Sequence, residues 1–385
     1  ELKQICNLDW ERYFSKFIIK EIPYIIIDNP KFYKTFYKLW NKKKNFDIWK
    51  NYLKFKFISM SCSFLSDKFV KLKFNFYGTF LSGQKQMKPR WERAISLVDG
   101  CLGELLGRLY VRKYFPSRAK KKVLDMVNNL NDELKKRLMA LSWMSDETKK
   151  KALLKNNAFR AKIGYPDKWR NYHGLKLSES DSLIDLIIKC NIYDFNHEMD
   201  ELFKNSDPDK WEMNPHTINA YFHPLKNEIV FPAGILQYPF YDAKAPDSIN
   251  YGAIGVVIGH EMTHSYDDMG CKFDHNGNLN NWWSKDDLKT FNKKAKYYIK
   301  EFDSFKVNGN NVNGKLTLGE NLADHGGVKI SFNAFKKLKK RTKGNNDKFT
   351  PEEKFFLSYA RVWRANVTPE EADKRIRTDP HSPNE

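Results

Sequence analysis

The sequence VIGHEMTHSYDD, from Val257 to Asp268, contains a His-Glu-x-x-His motif. Its histidines, His260 and His264, are four residues apart, and residues with this spacing lie on one face of an α-helix. Both imidazoles can therefore bind the same zinc ion. Glu261 projects about 100° around the helix from His260, beside such an ion, where its carboxylate can act as a base. The motif predicts a zinc site, and two surface histidines on an ordinary helix are the alternative.

A third zinc ligand is predicted in the stretch LGENLAD, which begins at Leu318. Asp267 stands where the metzincin pattern requires glycine, so that class is excluded. Glu320 and Asp324 share one helix face, and Glu320 can complete a His₂Glu site. Asp324 can accept the second ring N–H of a zinc histidine, and Asp267 or Asp268 can do the same for the other histidine. Alone, this acidic pair would indicate a solvated surface; together with the histidine motif it favours zinc.

The composition of the 385 residues is that of a globular protein, with 41% hydrophobic residues. This length favours two domains. No apolar run is long enough for a membrane span, so we predict none in this chain. The five cysteines are scattered and form no CxxC pair, which indicates free thiols rather than a disulfide framework or a sulfur-rich metal site.

The net charge of +20 is carried by the first 160 residues, which contain 35 Lys/Arg and 15 Asp/Glu, whereas residues 161–385 contain 32 of each. The lysine clusters at 42–44 and 120–122 are compatible with nucleic-acid or anionic-lipid binding, which is the alternative function from another class. No nucleic-acid motif accompanies the charge, so a solvated lysine-rich surface is favoured. We therefore predict no nucleic-acid partner.

The secondary structure is predicted to be α+β and mainly helical. Apolar residues between 123 and 141 recur at three- and four-residue intervals, which predicts one buried helix face. Residues 163–167 have turn chemistry and mark a predicted domain boundary, followed by a helix from Ser182 to Phe203. Ile218–Phe222 and Glu228–Phe231 predict a hairpin. Further helix starts, each with an N-cap hydroxyl, are predicted at Ser145, Thr350 and Thr368.

Several long motifs together resemble the neprilysin/endothelin-converting-enzyme family of zinc metallopeptidases. Besides VIGHEMTH and LGENLAD they are INAYF at 218–222, VFPAGILQYPF at 230–240, LSGQKQMKPRW at 81–91, GRLY at 107–110 and RTDPHSP at 377–383. They extend over nearly the whole chain. The sequences of these motifs resemble the bacterial branch of the family more closely than the animal branch. The resemblance implies a helical domain (residues 1–165) that roofs the active site, and a zincin-type HExxH…E catalytic domain (residues 166–385).

The resemblance also implies roles for individual residues. One zinc ion per chain would be held by His260, His264 and Glu320. Glu261 matches the catalytic base, Asp324 the carboxylate that orients a zinc histidine, and His381 the group that stabilises the oxyanion.

Substrate-binding residues follow from the same resemblance. Asn219 and Ala220, in the NAYF strand, match residues that hold the substrate backbone as an added edge strand. The pocket for the residue after the cut would be lined by Ile235, Phe240, Val257 and Trp363. Without the surrounding motifs, ordinary strand and core packing would be the interpretation of these residues.

The function implied is a zinc-dependent endopeptidase that cuts short peptides before hydrophobic residues, using zinc-activated water and Glu261 as general base. Members of the family are longer, so the chain is expected to begin inside the helical domain and to stop before an arginine that binds substrate. An impaired fragment that binds zinc and peptide without efficient turnover is therefore the alternative. The resemblance favours an exported, periplasmic or extracellular protein, with a cytosolic bacterial enzyme as the other possibility.

Overall fold

The computed structural model describes residues 5–17, 25–338 and 348–384, and the fold is mainly helical. The helices, in chain order, are α1 Trp10–Ser15, α2 Pro30–Trp40, α3 Phe46–Ser61, α4 Asp67–Lys73, α5 Arg90–Tyr114, α6 Ser117–Met139, α7 Asp146–Asn157, α8 Leu183–Leu202, α9 Asp247–Asn250, α10 Val256–Thr263, α11 Lys285–Phe302, α12 Leu318–Lys336, α13 Pro351–Val362 and α14 Pro369–Thr378. Within these ranges, none of the helices combines the length and the apolarity that a membrane crossing requires.

Shorter turns and strands connect these helices. The 3₁₀ turns are Lys43–Asn45, Cys62–Phe64, His264–Tyr266 and Gly270–Lys272, and the π-helical segments are Phe74–Phe80 and Tyr251–Gly255. The strands are β1 Arg160–Gly164, β2 Tyr221–His223, β3 Glu228–Pro232, β4 Lys306–Val307 and β5 Asn310–Asn311. All five cysteines lie in the described residues and form no disulfide.

The predicted helix signals are confirmed. On α6 the apolar stripe is buried at Val123, Met126, Val127, Leu130, Leu134 and Leu138. Ser145 caps α7, and Ser182 forms a reciprocal capping box with Asp185 at the start of α8. Thr350 and Thr368 cap α13 and α14, each followed by proline in the first turn.

A three-stranded sheet has the order β1-β3-β2, with β3 buried along its whole length. The predicted hairpin is confirmed, since β2 pairs antiparallel with β3. Its first strand begins at Tyr221, so the expectation that Asn219 and Ala220 lie within the strand is wrong: the Asn219 side chain instead accepts a hydrogen bond from the Ala220 N–H. The strand β1, parallel to β3, was not predicted.

The described chain divides into two compact units. The described residues of one unit fall in the ranges Glu1–Gly78 and Tyr172–Ser206, and those of the other in Thr79–Asn171 and Asp207–Glu385. The second unit contains the sheet and all of the predicted site residues. Its helices α5, α6 and α7 precede residue 165. The boundary between residues 165 and 166 was expected for the two domains of the family, which are not defined in the same way as these compact units. That domain boundary stays a prediction.

Glycines let α10 and α12 cross in close contact. A Cβ atom added to Gly259 of α10 would lie 2.9 Å from Cα of Gly327 on α12. One added to Gly327 would lie 2.6 Å from the carbonyl oxygen of Val256 and 2.7 Å from the backbone nitrogen of His260. These contacts are backbone to backbone, so no side chain can move to make room. The crossing brings Glu320, two turns before Gly327, towards the histidine helix.

We expect Gly327→Ala to lower the free energy of unfolding by about 1–3 kcal/mol, because the added methyl group must push two backbones apart. Gly100→Ala is the matched control: this glycine lies inside α5 with no atom within 4 Å of an added Cβ. The control should gain about 0.4–1 kcal/mol from the reduced entropy of the unfolded chain. Denaturant unfolding measures both, and a Gly327→Ala chain as stable as the control contradicts the packing argument.

Candidate active site

The two histidines of the motif meet at the end of α10. His260 is buried in the last turn of the helix, and His264 begins the 3₁₀ turn that follows it. The Nε2 atoms of the two rings are 2.9 Å apart, and the ring planes are nearly perpendicular, at 89°. The four-residue spacing therefore places both imidazoles at one point, as the sequence predicts.

Glu320, in the first turn of α12, faces the same point. Its Oε2 atom lies 3.2 Å from Nε2 of His260 and 3.4 Å from Nε2 of His264. One ligand atom from each of the three residues falls within 4.8 Å of the others. Glu320 Oε2 is buried and receives no hydrogen bond, so these are contacts between charges or dipoles rather than directed hydrogen bonds.

Carboxylates hold the other nitrogen of each ring. Nδ1 of His260 is 2.8 Å from Oδ1 of Asp324, and Nδ1 of His264 is 2.6 Å from Oδ2 of Asp267. An ionised carboxylate only accepts hydrogen bonds, so Nδ1 carries the proton in both rings. The second nitrogen of each ring, Nε2, therefore faces the other ring and Glu320, and its lone pair is the one available to a metal ion. Of the two aspartates considered from sequence, Asp267 is the one that contacts His264.

These donors fit a zinc ion. Three electron-pair donors pointing at one another repel unless a cation lies among them, and Glu320 Oε2 is an orphaned buried oxygen. Ligands about 2.0–2.2 Å from a tetrahedral ion are roughly 3.3–3.5 Å from each other, close to the separations of 3.2 and 3.4 Å between Glu320 and the rings. Two imidazoles and one carboxylate, each ring fixed by a second carboxylate, suit zinc.

The electrostatics of the cluster favour positive charge at the rings. Burial alone would lower the pKa of His264, but contacts with Asp267 and Glu320 raise it to about 11. Burial likewise opposes the effect of Asp324 and Glu320 on His260, whose pKa rises to about 9. For Glu320, burial would raise the pKa, but His260 and His264 lower it. The same surroundings would stabilise a metal cation.

Glu261 lies beside this cluster with its side chain buried. Burial raises the pKa of its carboxyl group, and His260 and His264 oppose the rise. A carboxylate whose proton affinity is increased by burial is better suited to accept a proton than an exposed one. Its charge also interacts with Glu320 and with His381, so all of these groups share one site.

His381, from the tail after α14, reaches the same site. Its Nε2 atom is 3.3 Å from Oε2 of Glu320, and its Nδ1 atom is 2.8 Å from Oδ1 of Asp379, which also accepts the His381 backbone N–H. Ser382 donates a hydrogen bond of 2.6 Å to Asn321 on α12 and so fixes the tail next to Glu320.

Sequence reasoning did not single out Asp379, Ser382 or Asn321. Asp379 lies two residues before His381 within the motif RTDPHSP. A carboxylate this close in sequence can contact the histidine, and this spacing is the signal that could have identified Asp379. No local pattern connects Ser382 to Asn321, which are 61 residues apart.

The predicted substrate-binding residues are only partly brought together. Phe240 and Trp363 make an edge-to-face contact with ring centroids 6.4 Å apart. Ile235 and Val257 are buried members of the hydrophobic core, against which Phe240 packs. Ala220 is buried at the approach to β2, and Asn219 is exposed. A role for these six residues in binding substrate stays a prediction.

Comparison with known proteins supports the same interpretation. Family models described as peptidase family M13 match residues 1–166 and 219–385. Neprilysin-1 of Caenorhabditis elegans is 40% identical over 316 residues, which are 78% of this chain and 42% of that protein. Human endothelin-converting enzyme 1 is 35% identical over 343 residues, which are 86% of this chain and 44% of that protein.

A solved structure is similar along the whole chain. The crystal structure of Mycobacterium tuberculosis zinc metalloprotease Zmp1 in complex with an inhibitor has a TM-score of 0.93 and 35% identity, and the match covers all of this chain and 59% of that one. The chain spans somewhat less than half the length of the curated relatives above.

The fold and the His-His-Glu cluster are those of the zincin class of metallopeptidases, in which a glutamate from a second helix joins an HExxH pair. Within that class, the chain belongs to peptidase family M13, which includes the neprilysins and endothelin-converting enzymes. The family resemblance expected from the sequence is confirmed.

Proposed function

We propose that this chain carries the active site of a zinc-dependent endopeptidase that hydrolyses short peptides. The observation that carries the proposal is the convergence of three ligand atoms, from His260, His264 and Glu320, within 4.8 Å of one another. One zinc ion per chain would be held there. Zinc, when bound, supplies Lewis-acid activation of the attacking water and of the scissile carbonyl.

Glu261 is the proposed general base. It is buried beside the two histidines, and its carboxylate would take a proton from the attacking water and then deliver it to the leaving amine. Asp324 and Asp267 are positioning residues, since each holds the Nδ1 proton of one ring and leaves Nε2 free to bind metal.

His381 is the proposed oxyanion-stabilising residue. Its ring reaches the Glu320 side of the cluster, and Asp379 holds its Nδ1 atom, so that Nε2 faces the site. A donor in this position would stabilise the negative charge that develops on the carbonyl oxygen during attack. The link between Ser382 and Asn321 keeps the tail in place.

Peptide binding is proposed at the edge of the sheet next to β2. Among the described residues, β2 pairs with β3 alone, so its second edge is available to an extended peptide. Asn219 and Ala220 lie at the start of this edge. The aromatic pair Phe240 and Trp363, with Ile235 and Val257 behind it, is the proposed pocket for a hydrophobic residue that follows the cut.

A cleavage assay tests this function. Purified chain is given zinc and a set of quenched fluorescent peptides that differ only at the residue after the expected cut, and products are identified by mass spectrometry. We expect zinc-dependent internal cleavage before Phe, Leu or Ile, and none with a chelator present. Zinc and peptide binding without cleavage would support the impaired-fragment alternative, and cleavage that is independent of metal contradicts the proposal.

We expect Asp324→Asn to weaken zinc binding about 10- to 100-fold, because the amide is a weaker acceptor for the Nδ1 proton of His260 than the carboxylate. Competition with a chromophoric chelator measures the dissociation constant. The matched control is Asp373→Asn. Asp373 lies on α14 and accepts a hydrogen bond from Asn310, so this variant should bind zinc as the unmodified chain does. Equal zinc affinity in Asp324→Asn would remove Asp324 from its positioning role.

A further inference from the structure

Lys155 is almost completely buried, with 1% of its surface exposed. It lies in α7, and its Nζ atom donates three hydrogen bonds to backbone carbonyls, of Ser265 at 2.8 Å, Gly270 at 2.7 Å and Phe273 at 2.8 Å. No carboxylate is among these acceptors. The ammonium group is thus held by carbonyl oxygens in the way that a protein holds a cation.

Aromatic rings complete the enclosure. The Nζ atom is 5.7 Å from the ring centroid of Tyr266, 5.9 Å from that of Trp282 and 6.0 Å from that of Phe222. Ring faces at this distance attract a cation. Burial lowers the pKa of Lys155 to about 8, against the opposing effect of nearby acidic groups, so the side chain remains largely charged at neutral pH.

The three carbonyls belong to one loop, residues 265–273, that directly follows the zinc motif. The same loop carries Asp267, whose Oδ1 atom accepts the N–H groups of Met269 at 2.8 Å and Gly270 at 2.6 Å. Its Oδ2 atom contacts Nδ1 of His264 at 2.6 Å. The position of this carboxylate therefore depends on the shape of the loop.

We propose that Lys155 is a positioning residue for the metal site: its ammonium group acts as a built-in cation that closes the 265–273 loop and so holds Asp267 against His264. This inference rests on the proposed function, because it assumes that His264 binds zinc. Lys155 is not one of the three converging ligands, and it acts through Asp267. Ser265 and Gly270, at either side of Asp267, are fixed to the same Nζ atom, so loss of the ammonium group frees both ends of the segment.

The test is zinc affinity, measured by chelator competition on the full chain. We expect Lys155→Met, which keeps most of the length of the side chain and removes the charge, to weaken zinc binding about 10- to 100-fold, as loss of a ligand-orienting partner does. Asp267→Asn should weaken it similarly. If Lys155 acts through Asp267, the double variant should bind zinc about as well as Asp267→Asn alone.

The matched control removes the charge of a different lysine, together with the carboxylate that it contacts. The side chain of Lys162, on β1, contacts the buried Glu228 on β3 at 2.8 Å and also donates a hydrogen bond to the carbonyl of Lys210, and both partners lie outside the loop. The double variant Lys162→Met/Glu228→Gln should lose stability and keep its zinc affinity. A Lys155→Met chain whose zinc affinity matches that of this control overturns the inference.

A second variant covers the case in which Lys155→Met does not fold. Lys155→Ala, folded in the presence of propylammonium, should recover zinc binding because this amine replaces the missing methylenes and ammonium group. 1-Propanol, of the same length and uncharged, should not restore it. Equal effects of the two additives would contradict a role for the charge.

The failures are distinguishable. If the unmodified chain binds no zinc, the proposed function fails. If the unmodified chain binds zinc, and the loss of zinc affinity in the double variant is the product of the losses in Lys155→Met and Asp267→Asn, only the inference about Lys155 fails.

Discussion

Glu261→Gln is expected to lower kcat for peptide cleavage by about 100- to 10,000-fold while zinc remains bound. The change keeps the size of the side chain and removes its ability to accept a proton. Glu261 is buried among His260, His264 and Glu320 without being one of the three converging ligands, so the metal site should stay intact. Steady-state kinetics and the zinc content of the purified variant are the two measurements.

Glu261→Asp serves as the comparison for this variant. It retains a carboxylate and withdraws it by one methylene, so activity should fall less than in Glu261→Gln. Near-full activity in Glu261→Gln would show that another group accepts the proton. A variant that has lost its zinc would instead place Glu261 among the ligands.

His264→Asn has the second large expected effect, on zinc affinity. It removes one of the three ligand atoms and leaves Asp267 without the ring that it orients. We expect a loss greater than the 10- to 100-fold that follows from removing an orienting partner alone. At free zinc a hundredfold above the dissociation constant, binding stabilises the unmodified chain by about 2.7 kcal/mol, and this zinc-dependent gain should disappear in the variant.

His275→Asn is the matched control, because His275 is exposed in the loop after the same motif and takes no part in the cluster. Its zinc-dependent thermal shift should equal that of the unmodified chain. A zinc-dependent shift of normal size in His264→Asn would mean that the metal binds elsewhere.

Much of the candidate site could be predicted from local sequence. The four-residue spacing of His260 and His264 and that of Glu320 and Asp324 are read directly as helix faces, and the structure brings them together. The helix starts could also be predicted, because an N-cap hydroxyl is a local signal. His381 was found only through the family motif, since nothing in a proline-rich tail indicates where it folds back.

The strand β1 and the buried lysines could not be predicted from local sequence, because their partners are distant in the chain. The strand β1 carries Arg160 and Lys162 and ends in a glycine turn, and its parallel partner β3 is more than 60 residues away. Lys162 is acceptable in a sheet only because the buried Glu228 faces it. Lys155 likewise looks like one of many surface lysines, and its three carbonyl acceptors lie 110 to 118 residues further on.

The central claim is that one zinc ion binds between His260, His264 and Glu320. Anomalous diffraction at the zinc absorption edge, from crystals of the zinc-loaded chain, tests it most directly. We predict a single strong peak per chain, about 2.0–2.2 Å from Nε2 of each histidine and from a carboxylate oxygen of Glu320. A peak at other residues, or none at this cluster with zinc in excess, would contradict the account.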